Sequence, residues 1–178
     1  MQELLAIFCL SLLACPLSFA ANGPAVTNAY ADVKGWLHVI SADGRDHLIG
    51  PKKWQSGGGY GVVKISPDGE SVGWLAKQML TSLQAGANYS YPVALELVIW
   101  KQGHVIRRFS SEQAIQNWIF LKGGDEVAFS RAPLHGPGVY CTLFEVESRK
   151  ELAHWTLDPD DHAIPDWAKQ LLDGSPIK

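Results

Sequence analysis

Six histidines, His38, His47, His104, His135, His154 and His162, are the side chains best suited to move protons or hold a metal near neutral pH. None stands at the His-x-His or His-x-x-x-His spacing that gives one metal two ligands from a single strand or helix. No metal and no cofactor is therefore expected. His38, His104 and His154 fall in or beside strand-like segments, where half-exposed strand positions account for them. His135 differs. It precedes Gly136-Pro137-Gly138 and so rides a loop tip, the kind of place from which proteins touch ligands. Asp158-Pro159-Asp160-Asp161-His162 gathers carboxylates and an imidazole, yet it lacks the alternating Asp/Asn/Gly pattern of a calcium loop and reads as a solvated acidic connection.

Nucleophilic and carboxylate chemistry find little support. No Gly-x-Ser-x-Gly elbow occurs, and Gly57-Gly58-Gly59 lacks the helix and the Lys-Ser/Thr of a phosphate-binding loop. Glu70, Asp125 and Glu126 could assemble a glycosidase pair, but two of them sit on hairpin tips, where charge is expected anyway. No catalytic residue is assigned. Trp74, Trp100, Phe129 and Trp155 hold strand positions and read as core. Tyr89 and Tyr91, in Tyr89-Ser90-Tyr91-Pro92, and Trp118 put amphipathic rings near connections. Tyr89, Tyr91, Trp118 and His135 are thus the candidate ligand-binding residues.

The elements that must position them are hairpins. Val62, Val63 and Ile65 supply β-branched residues before Ser66-Pro67-Asp68-Gly69, and Val72, Trp74 and Leu75 resume the apolar pattern after it. Pro67 presets φ, Asp68 can bond its own backbone, and Gly69 tolerates positive φ, so a tight turn is expected there. Trp36–Ile40 with His47–Ile49, Leu95–Trp100 with His104–Phe109, Gln116–Leu121 with Glu126–Arg131, and Tyr140–Glu147 with Glu151–Leu157 repeat the arrangement. Residues 21–33 read as a lead-in, and Ala76–Pro92 as a long connection in which a short helical turn is open. Ser110 and Gln113 have capping-box spacing, enough for one helical turn at most. Arg107 and Arg108 point to opposite faces of one strand and form no joint anion clamp. Pro165-Asp166-Trp167 opens a two-turn helix that Gly174 stops.

With 178 residues the chain suits one domain, and 47% apolar against 19% charged residues is ordinary for a globular protein and argues against a disordered tail. A net charge of −3, with no basic run longer than two residues, excludes the footprint of a nucleic-acid binder. Residues 4–20 are apolar, and Ser18 and Ala20 place small side chains at −3 and −1 of a cut before Ala21. Residues 1–20 are read as a secretory signal, although Glu3 stands where a base is usual, and 21–178 as the mature domain. A membrane anchor is one alternative, against which Pro16 and the short span count. A lipoprotein is the other, because Leu12-Leu13-Ala14-Cys15 resembles a lipobox. After cleavage Cys141 alone remains; it reads as a buried thiol, and the fold must rely on its core without disulfides.

Ile65, Gly69, Val72 and Trp74 superpose on Phe120, Gly124, Val127 and Phe129 at a constant offset of 55 residues. A four-strand unit repeated in this way is the mark of propeller blades, with Trp36–Ile49 the outer hairpin of a preceding, incomplete blade. Ile65-Ser66-Pro67-Asp68-Gly69 followed by Val72-Gly73-Trp74-Leu75 resembles the Ser-Pro-Asp-Gly repeat of Tol-system and related Trp-Asp-type β-propellers. Leu97-Val98-Ile99-Trp100, Gly103–Phe109 and Gly123-Gly124-Asp125-Glu126-Val127-Ala128-Phe129 are similar to small uncharacterised secreted bacterial proteins, whose resemblance implies no activity.

The expectation is an all-β fold of antiparallel meander hairpins, partly propeller-like, with a short C-terminal helix. Ten strands are too few for four closed four-stranded blades, which would use about sixteen. An open capped array, a homo-oligomer in which two chains close one array, and a sandwich all remain. Functionally the sequence points to a non-enzymatic binding module of the bacterial envelope, periplasmic or secreted. Its partner would be an envelope protein or glycan, met at the Tyr89–Pro92 and His135 loops, without nucleic acid and without stable membrane insertion after signal cleavage. The alternative is a hydrolase acting on polysaccharide or peptide with carboxylates and His135 supplied by loops.

Overall fold

A computed structural model describes residues 23–50, 58–84, 87–134, 138–157 and 163–173, with the backbone alone at 82–84 and 87–89. The N-terminal apolar segment, and with it the expected signal, lies outside the described residues. Among the described residues eleven strands form three antiparallel meanders in chain order. The first sheet holds β1 (Val26–Ala31), β2 (Leu37–Ser41) and β3 (Asp46–Ile49). The second holds β4 (Gly59–Ile65), β5 (Ser71–Gln84), β6 (Ala87–Lys101) and β7 (His104–Ser110). The third holds β8 (Ala114–Leu121), β9 (Glu126–Ala132), β10 (Tyr140–Glu145) and β11 (Glu151–Thr156), and a helix, α1 (Asp166–Asp173), follows.

Period-2 alternation explains why the sheets stack. Along β5, Val72, Trp74 and Ala76 face Val26, Leu37 and Val39 of the first sheet. On the opposite face Leu75, with Leu97 and Ile99 of β6, packs on Ile115, Trp118, Phe120 and Phe129 of the third. The second sheet is therefore buried on both sides, which is why its strands read as near-continuous apolar runs. Behind the third sheet, Ala128, Cys141 and Trp155 pack on Ala168 and Leu171 of α1. Asn117, buried in β8, donates from Nδ2 to the Leu171 carbonyl at 2.6 Å and ties the helix end to the sheet.

The expected turn at Ser66–Gly69 forms. Gly69 has φ of 73°, its N–H donates to the Ser66 carbonyl at 2.8 Å, and the Ser71 N–H donates to Ser66 Oγ at 2.9 Å. The repeat at offset 55 maps onto equivalent places: Ile65 and Phe120 near the ends of β4 and β8, Gly69 and Gly124 in the next turns, Val72 and Val127 at the starts of β5 and β9. The two equivalent turns also touch, since the Asp68 N–H donates to the Gly123 carbonyl at 3.1 Å. Gly124 is required there: its φ is 142°, and a Cβ would fall 2.9 Å from the Ser66 Cβ.

Three expectations need correction. The lead-in is not loose chain, because residues 26–31 are β1, paired along β2 and anchored by the Val26 N–H to the Gly69 carbonyl at 2.7 Å. Ala76–Pro92 is no irregular connection. β5 and β6 pair through it, with Met79 opposite Pro92, Leu80 opposite Tyr91 and Thr81 opposite Ser90. Pairing with β4 stops at Lys77 and pairing with β7 stops at Glu96, so beyond these points the hairpin continues as a two-stranded arm of roughly 20 Å. Pro92 is tolerated because β6 has no second neighbour there to receive an N–H. Ser110 starts no helical turn. The chain instead bends at Ser111, whose hydroxyl donates to the Gln113 carbonyl at 2.7 Å and accepts from the Gln113 N–H at 3.1 Å.

Candidate functional site

The meander connectivity sorts the loops into two ends. The β4–β5, β6–β7, β8–β9 and β10–β11 turns gather at one end, while the β5–β6 arm and the β9–β10 loop lie at the other. The sequence candidates belong to the second group or to neither. Tyr91 sits half-buried on the arm opposite Leu80, and the backbone of Tyr89 pairs with Ser82 while its side chain lies outside the described residues. His135 lies outside the described residues as well. Trp118 is in the core: its ring has no exposed surface, its Nε1 donates to the Val62 carbonyl at 3.3 Å, and it meets Phe120 edge-on at 5.1 Å. Its position near a connection was misleading because β8 faces the second sheet along its length. Of the four, the structure describes the side chains of Tyr91 and Trp118 alone, one on the arm and the other in the core.

At the turn end a cleft of about 570 Å³ opens between the second and third sheets. Its volume lies within the range of small-molecule sites. One wall comes from the second sheet and carries Lys101 at the end of β6 and Arg107 in β7. The other comes from the third sheet and carries Asp125, Glu145 and Glu147. Ser71, Ile106, Gly124 and Val146 form the floor and sides.

Each charged group is set by its local backbone. Gln102 and Gly103, at φ of 50° and 89°, make the two-residue turn that holds Lys101 at a strand end. Lys101 Nζ lies 2.6 Å from Glu70 Oε2, and the Glu70 carboxylate chiefly raises its pKa, with Asp68 and Asp125 adding to the effect. Arg107 spans the gap: Nε donates to the Val146 carbonyl of the third sheet at 2.7 Å, and Nη1 to the Ile106 carbonyl at 2.7 Å. Arg108 turns the other way and meets Glu96 at 2.7 Å, so the two arginines diverge as their alternation requires. On the acidic wall the Val146 N–H donates to the Asp125 carbonyl at 2.8 Å, and Ser148 Oγ donates to Glu145. Among the described residues no ion pair joins the two walls.

A smaller hollow of about 260 Å³ lies between the first and second sheets, lined in part by Arg45, His47, Glu70 and Trp100. Glu70 lines this hollow and Lys101 lines the larger cleft, so their ion pair forms the partition between the two.

The histidines bonded to carboxylates sit elsewhere. His38 Nδ1 is 2.7 Å from Asp46 Oδ2 and its Nε2 is 3.6 Å from Asp32 Oδ2, with the Tyr30 ring stacked on it at 4.8 Å. Asp46 chiefly raises the His38 pKa, and Asp32 is held low by the N–H groups of Trp36 and Lys34. With a carboxylate against each nitrogen, this arrangement favours a fixed imidazolium over a free base. His154 pairs with Glu151 at 3.1 Å on an exposed strand. Among the described residues no group of three or more His, Cys, Asp or Glu side chains is placed to hold a metal ion.

Sequence reasoning weighed Asp125 and Arg107 and set them aside, and passed over Lys101, Glu145 and Glu147, because each reads as an ordinary turn or strand charge. One signal could have found them. The offset of 55 residues places the 66–69 and 121–124 segments at equivalent ends of adjacent sheets, and charges at such ends converge. Compared with models of known protein families, the chain matches none, and a comparison with curated proteins also finds no match.

Proposed function

We propose that this chain is a non-enzymatic binding module of the bacterial envelope, periplasmic or secreted, whose ligand occupies the cleft between the second and third sheets. The observation that carries the reading is the cleft itself: a concave site of about 570 Å³ walled by charged side chains whose backbones are fixed by turns. The apolar residues 4–20, with Ser18 and Ala20, support export. Strand order supports a finer reading of the fold, in which the three sheets are blades of an open propeller and α1 caps the last.

The test is retention. The mature chain and a variant carrying Asp125→Lys and Glu147→Lys are immobilised and exposed to solubilised envelope protein and glycan fractions. Retention by the mature chain and its loss in the variant is the expected result. Equal retention by both chains would overturn the cleft as the site, and release of new reducing ends or amines from the same fractions would replace binding with hydrolysis.

A further inference from the structure

We infer that the cleft between the second and third sheets takes a zwitterionic ligand of peptide type, its carboxylate toward Lys101 and Arg107 and its ammonium toward Asp125, Glu145 and Glu147. The inference rests on the binding reading above and adds the ligand's chemistry.

The argument begins with charge separation. Lys101 and Arg107 belong to the second sheet and the three acids to the third; the Arg107 guanidinium reaches over to the Val146 carbonyl, while Lys101 stays on its own side. Opposite charges this close would be expected to collapse into ion pairs, yet among the described residues none spans the gap. Lys101 is held on its own sheet by Glu70 at 2.6 Å. Arg107 is held by carbonyls: with Nε and one Nη1 hydrogen spent on Val146 and Ile106, its Nη2 hydrogens remain for a planar acceptor such as a carboxylate. Neither Asp125 nor Glu147 forms an ion pair among the described residues, although the Asp125 charge acts at longer range on Lys101 and Lys122. The walls are tied together at one point. Val146 donates to the Asp125 carbonyl and accepts from Arg107, which fixes the third-sheet turn relative to β7.

A purely anionic ligand would meet three carboxylates, and a purely cationic one would meet Lys101 and Arg107. A ligand with both charges satisfies both sets of side chains at once. Size agrees, since a volume of about 570 Å³ falls in the range that accommodates a short peptide.

The experiment follows backbone amide resonances of the mature chain while trialanine, N-acetyl-trialanine and trialanine amide are added. Free trialanine is expected to shift the Gly124, Asp125 and Val146 amides, with each blocked form binding about tenfold more weakly, as loss of one charge-assisted contact implies. In the Asp125→Asn, Glu147→Gln double variant, free and N-acetylated peptide should bind within about twofold of each other. Equal binding of all three forms to the mature chain would overturn the inference. So would the absence of any shift from all three. If that absence accompanies cleft-dependent retention of envelope material, the ligand class is wrong and the binding reading stands; if retention also fails, both are lost.

Discussion

The indole of Trp118 occupies the space that a side chain on Gly73 would need: a Cβ at position 73 would fall 2.5 Å from Trp118 Cη2. Gly73 lies in β5 between Lys64 and Ile99, and Trp118 comes from β8 of the next sheet. A glycine in mid-strand ordinarily weakens a sheet, and here it is what lets the second and third sheets close. Gly73→Ala is expected to lower stability by about 1–3 kcal/mol through overpacking, and Trp118→Ala by about 3–5 kcal/mol through the cavity it leaves. Chemical denaturation of both variants checks this. Because the strain comes from one ring, the double variant should lose less than the sum of the two.

Removing the Asn117 side chain should free the helix. Its Nδ2 donates to the Leu171 carbonyl at 2.6 Å, and Asn117→Ala leaves that acceptor without its partner at a buried sheet–helix contact. The expected cost is about 1–3 kcal/mol, and amide exchange at Ala168 and Leu171 should accelerate more than exchange in β5. Uniform acceleration would show that α1 unfolds only with the sheets.

The His38 cluster predicts a pH dependence of the first sheet. Asp46 above all, with Asp32, raises the folded-state pKa of His38 above its usual 6.5. A raised histidine pKa contributes stability that is full below the unfolded value and is lost as pH rises through the folded one. Stability should therefore fall across that window above pH 6.5, and Asp46→Asn should flatten the fall. A proton-resonance titration of the His38 ring, together with melts on both sides of the window, checks the sign.

Much of this architecture was legible, and the reasons are local. Ser66-Pro67-Asp68-Gly69 specifies its turn through φ preferences and one Asx-type bond, so the β4–β5 hairpin is legible from local chemistry alone. The helix from Asp166 was equally clear from Pro165. What failed depended on distant partners. Ala76–Leu80 has helix-forming residues, but pairing with β6 overrides that preference, and Pro92 reads as a strand breaker only if β6 has neighbours on both sides. The cleft was illegible for a related cause: no periodicity in Lys101–Gly103 or Lys122–Asp125 says that these turns face each other across a sheet interface.

Cys141 should be inert in the folded chain. It is fully buried, and burial pushes its thiol up to about 11. Labelling by a thiol reagent at neutral pH should track unfolding, so that Gly73→Ala speeds it while reagent concentration does not. Rapid labelling of the native chain would mean that the α1 side of the third sheet opens on its own.

One consequence of the anchor between Val26 and Gly69 concerns the order in which a growing chain can organise itself. Every sheet is stitched from consecutive segments, so each could mature as it emerges, yet the foremost strand has its last tether only after the Ser66–Gly69 corner has been made. Until then the apolar side of Leu37 and Val39 stays uncovered. The first of the three sheets is thus the one whose covering must wait for the second.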